Sequence, residues 1–98
     1  MKAIFISYDQ AHHEAVLDIL GHVRQRGYTA WQQVAGRGSL KGEPHEGSHA
    51  WPAMNAAMFT VVDDDARVAT LLEQLRALDK DKPALGLRAV VLPVEQAI

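Results

Sequence analysis

The stretch AMFTVVDDDARVATLLEQLRALDKDKP, residues 57–83, decides the fold. Ala57 to Val62 is an unbroken run of apolar and β-branched residues, the composition of a strand packed on at least one face. Asp63, Asp64 and Asp65 end it, and acidic residues there suit a helix start, where unpaired N–H groups carry partial positive charge. Val68, Leu71, Leu72, Leu75 and Leu78 then recur at three- and four-residue spacing, one apolar stripe of a helix. This helix should stop near Asp79, because DKDKP brings in Pro83. Leu87 to Pro93 (LRAVVLP) is a closing strand, so the second half of the chain is a β-α-β unit.

The first half echoes it. Lys2 to Tyr8 is rich in strand formers and stops at Asp9; Ala15, Val16, Ile19, Leu20 and Val23 place an amphipathic helix over about residues 12–26. Gly27 would cap that helix, and Tyr28 to Val34 (YTAWQQV) is the second strand. Two β-α-β units side by side predict an α+β, ferredoxin-like βαββαβ arrangement in one domain: a four-stranded antiparallel sheet with both helices on one face. The other face stays bare. If it shows Phe5, Trp31, Phe59 or Val91 to water, self-association is expected to cover it.

Between strands two and three lies GRGSLKGEPHEGSHAWPAMN, residues 36–55, a connection too long for an ordinary loop in so small a protein. Connections of that kind are functional loops or linkers, and this one holds four of the seven glycines and two of the four prolines. The function is expected there.

Composition narrows the classes. With 98 residues, 48% hydrophobic and 22% charged, the chain is long enough to bury one core. Its net charge of −2 supplies no field for gripping nucleic acid. No cysteine is present, which removes disulfides, thiolate metal sites and cysteine nucleophiles. The apolar run at the N-terminus is too short for a signal-peptide core and no segment approaches a membrane span, so the expected location is the cytoplasm.

Three groups in the loop carry candidate chemistry. Gly36, Arg37, Gly38 and Lys41 can cradle an anion, since glycines admit close approach of backbone N–H groups and the basic side chains add charge-assisted contacts. The same glycines would equally serve a turn or bulge. His45 and His49, with Glu43, Glu46 and Met54 nearby, are a set able to hold a divalent metal. Their four-residue spacing converges only on a helix, which Pro44 and Gly47 oppose. Trp51 can stack on an adenine ring or anchor a protein partner, or fold back onto the open sheet. Asp63 to Asp65 are explained by capping, and Ser7, Ser39 and Ser48 each lack a base with an orienting partner, so no catalytic site and no enzyme is expected.

The chain resembles the PII-like signalling proteins. The ending VVLPVEQAI (residues 90–98) is similar to the stretch that closes the core of nitrogen-regulatory PII proteins, VAGRGSLKG (34–42) to their entry into the T-loop, and TVVDD (60–64) to the stretch before their second helix. The resemblance implies a homotrimer with effector clefts between subunits, and a loop whose shape reports the effector to a protein partner such as a transporter or an enzyme. It implies an adenine nucleotide, ATP, ADP or AMP, near Gly36 to Lys41 and Arg88. It also has departures. Leu40 stands where a glutamine would help hold magnesium and 2-oxoglutarate, so no 2-oxoglutarate sensing is expected. DKPALGLR (81–88) replaces the phosphate-binding loop and keeps only Arg88 as a basic residue, while the tyrosine-bearing segment of the T-loop is missing.

Overall fold

The computed structural model describes residues 1–37, 44 and 45, and 54–98. Among these residues six strands and two helices follow one another: β1 (Lys2–Asp9), α1 (His13–His22), β2 (Thr29–Val34), β3 (Gly36–Arg37), β4 (Pro44–His45), β5 (Asn55–Val62), α2 (Asp65–Asp81) and β6 (Leu87–Pro93). Four of the strands form one sheet in the order β2-β5-β1-β6, with every neighbouring pair antiparallel. This is the ferredoxin-like α+β architecture that the two β-α-β halves predict. No helix among the described residues is long and apolar enough to cross a membrane.

Alternation along the strands divides the sheet into two faces. Ile4, Ile6 and Tyr8 of β1 and Ala56, Met58 and Val62 of β5 meet Val16 and Leu20 of α1 and Val68, Leu71 and Leu75 of α2 in a single core. Both helices therefore cover one face. Burial of each such leucine or isoleucine contributes about 1.5–3 kcal/mol, which is what holds two short amphipathic helices against the sheet. Helix α2 starts where the aspartates indicate: the Asp64 carboxylate accepts from the Ala66 N–H at 2.8 Å.

The first helix ends earlier than its apolar pattern suggests, and Gly27 is not its cap. Arg24 takes the left-handed conformation, φ 61°, while the Gln25 N–H reaches the Leu20 carbonyl at 2.9 Å and the Arg24 N–H reaches the Gly21 carbonyl at 3.1 Å. These two bonds make a Schellman ending with an arginine in the usual glycine position. Tertiary contacts explain the choice. The buried Gln25 side chain donates to Thr60 Oγ1 at 2.7 Å and to the Val61 carbonyl at 2.8 Å, and Thr60 Oγ1 donates to the Gly27 carbonyl at 2.6 Å. The helix must turn at Arg24 for Gln25 to dock on β5.

Phe5 and Phe59 are directly opposed on the bare face, 38% and 37% exposed, with Val90 beside Phe5 and Trp31 one row along. Val91 is a correction. It pairs with Ile4 and so belongs to the helix side, where it lines a groove of about 310 Å³ with Leu72 and Leu75. Val90 and Leu92, 45% and 48% exposed, are the β6 residues on the bare face. In a strand reading AVVLP, neighbouring apolar residues leave the phase undecided until pairing with β1 sets it.

Candidate functional site

The long connection is rooted at one end of the sheet. β2 and β5 pair irregularly after Trp31, so that Val34 stands opposite Asn55. The chain then continues into a second, two-stranded ribbon in which Gly36 faces His45 and Arg37 faces Pro44. The sequence suggested a connection without structure of its own. Its described part instead includes this short ribbon, whose two strands satisfy each other's backbone groups in a pairing separate from that of β2 with β5.

Gly36 and Asn55 meet at this root. The Asn55 side chain lies where a Cβ on Gly36 would stand, with its Cγ 3.0 Å from that point. Asn55 is buried and its Nδ2 donates to Ser7 Oγ on β1 at 3.0 Å. On the neighbouring turn, residues 10–12, the Gln10 N–H donates to the Met54 carbonyl at 2.9 Å and the Asp9 carboxylate accepts from the Ala11 N–H at 2.8 Å. Both ends of the loop are thereby tied to the end of the central strand.

Two histidines lie just beyond, at the start of α1. His13 Nδ1 and the Tyr8 hydroxyl are hydrogen-bonded at 2.8 Å, and the two rings stack at 6.0 Å. Burial, helped by the like charge that Tyr28 would carry, pushes the Tyr8 phenol up to about 12. His12 is 4% exposed, and its Nε2 has no hydrogen-bond partner among the described residues.

Arg88 is exposed on β6, opposite Ser7. Gly36 belongs to the separate β3–β4 ribbon, whereas Arg88 stands on β6, the edge strand on the side away from β2. Ahead of Arg88, residues 83–85 form one turn of 3-10 helix and Gly86 takes φ 72°, which a glycine adopts without strain. The Leu87 N–H at its end is occupied by the Asp79 carboxylate at 3.2 Å.

Gly38, Lys41, His49 and Trp51 lie outside the described residues, as do the side chains of Arg37 and His45. The metal and stacking readings fall on them. Among the described residues no cluster of three or more histidine, aspartate or glutamate side chains could hold a metal ion. Asn55 and the Tyr8–His13 pair are the residues that motif reading passes over. Asn55 is the last residue of the loop in sequence, and nothing in its neighbourhood signals that it turns inward.

A ferredoxin-like sheet with one apolar face bare and a hairpin loop rising from one end defines the class. Within it, the chain belongs to the nitrogen regulatory protein P-II family, whose model matches residues 1–98. No curated protein matches it. Among solved structures it is similar to CPII, a nitrogen regulatory PII-like protein from Thiomonas intermedia K12 bound to ADP, AMP and bicarbonate. One such structure matches at 24% identity with TM-score 0.73, covering 92% of this chain and 81% of that one. A second matches at 22% identity with TM-score 0.76, covering 98% and 93%. A PII-like signalling protein from Thermus thermophilus is similar at 19% identity and TM-score 0.61, over 92% of this chain and 82% of that one.

Proposed function

We propose that this chain is a non-enzymatic regulator that assembles as a homotrimer, binds an adenine nucleotide between subunits and signals to a protein partner through the loop after β2. The observation that carries the proposal is the sheet face that both helices leave bare, where Phe5, Phe59, Trp31 and Val90 are exposed. Such a face gives copies of the chain a reason to associate, and in this reading the ligand lies between them, with the loop root of one chain near the β6 edge of the next.

Family membership supports the regulatory role, and the ADP and AMP bound by the Thiomonas proteins support the ligand class. In this reading the Arg88 guanidinium meets the phosphates by charge-assisted bonds, and the backbone at Gly36 and Arg37 approaches them from the neighbouring chain. Effector binding acts on the loop by favouring one of its arrangements over another. The bicarbonate in the Thiomonas structures makes a second small anion worth including. Calorimetric titration with ATP, ADP and AMP, each with and without bicarbonate, tests the proposal. Saturable heat with at least one nucleotide, weakened about tenfold or more by Arg88→Ala, is the expected result. No heat with any of them sinks it.

A further inference from the structure

We infer that Asn55 is the positioning residue that couples the loop to the central strand, an inference that rests on the loop being the signalling element. Gly36 is outside the left-handed region, so its backbone conformation does not require glycine. Space does. A Cβ there would collide with the Asn55 amide. That amide is not the far end of a free side chain: Asn55 is 6% exposed and Nδ2 is bonded to Ser7 Oγ at 3.0 Å.

One buried side chain therefore links both roots of the loop to β1. Asn55 is itself at the exit root, it fills the space over the entry root at Gly36, and it is bonded to Ser7 of β1, whose partner on β6 is Arg88. Movement of the entry root toward this amide presses on the Ser7 bond. Loop geometry and the position of the central strand beside Arg88 are thus linked at Asn55. Packed interiors respond to such displacement by switching arrangement, not by yielding smoothly.

A double-mutant cycle in the full chain tests this without any ligand. Gly36→Ala is expected to lower the chemical unfolding midpoint and to speed amide exchange in the β3–β4 ribbon about tenfold, and to be nearly silent in an Asn55→Ala background. Equal effects in both backgrounds overturn the inference. If Asn55→Ala does not fold, Asn55→Ser serves in the same cycle. A second arm titrates ADP: Asn55→Ala should weaken binding at least about fivefold, a typical size of coupling between sites, while Ser7→Ala weakens it less. Unchanged ADP affinity in Asn55→Ala overturns the coupling. Absence of ADP binding in the unaltered protein overturns the nucleotide reading instead, and the cycle then judges Asn55 alone.

Discussion

A hydrogen bond of 2.8 Å between the Tyr8 hydroxyl and His13 Nδ1 joins the end of the central strand to the first turn of α1. Tyr8 is completely buried, and its phenol is held at about 12 against an ordinary 10.0, first by burial and then by Tyr28. A raised pKa means that the folded state favours the protonated form. This contribution to stability is fully present below pH 10 and is lost as pH rises toward 12. Urea unfolding across that window should show a decline that Tyr8→Phe largely removes. At neutral pH the same substitution should cost about 1 kcal/mol, because the hydrogen bond to His13 Nδ1 is lost. A Tyr8→Phe protein with the same alkaline decline as the parent would show that other groups cause it.

Arg24 occupies a position that glycine fills at most helix ends. A non-glycine residue there costs about 1–2 kcal/mol in steric strain, part of which glycine would return as greater freedom of the unfolded chain. Arg24→Gly should therefore stabilise by about 0.5–1 kcal/mol, read as a rise of a few degrees in Tm. A lower Tm would mean that the Arg24 side chain makes a contribution larger than the strain it causes.

Gln25 and Thr60 tie the α1–β2 connection to β5 through a shared set of hydrogen bonds. Gln25→Leu removes the donor to the buried Thr60 hydroxyl and to the Val61 carbonyl and cannot replace either. Destabilisation of about 1–3 kcal/mol is expected by chemical denaturation. Gln25→Glu should cost more at neutral pH, since a carboxylate has no proton to donate to these two acceptors. A neutral effect of Gln25→Leu would mean that water replaces the lost bonds.

Phe5 and Phe59 face each other at the middle of the bare sheet face. Phe59→Lys puts a charge at that point while leaving the helix-side core untouched. If this face joins the copies, sedimentation of the variant should show a fall from trimer mass toward monomer, with far-ultraviolet dichroism preserved. Unchanged mass would place the interface elsewhere.

Much of the fold is legible in the sequence because periodicity is a local property. The α2 stripe from Val68 to Leu78, the aspartates that cap it and the LRAVVLP strand all declare themselves within a few residues, and the structure has them at those places. Where local signals competed, sequence reading chose the stronger one and erred. Gly27 looked like a helix cap, but the docking of Gln25 onto Thr60 moved the ending to Arg24. Nothing in the sequence around His12 and His13 shows that the turn after Asp9 folds one inward and brings the other onto Tyr8.

The sequence by itself determined the order of elements, the two-layer architecture and the place of the loop. Tertiary structure alone decided which residues meet: Val90 and not Val91 on the bare face, Asn55 over Gly36, and Arg88 beside Ser7. The reason is that contacts between strands depend on register and strand order, which bring together residues as distant in sequence as Ser7 and Asn55. A motif reports the backbone around it. It does not report the side chain that another strand will place beside it.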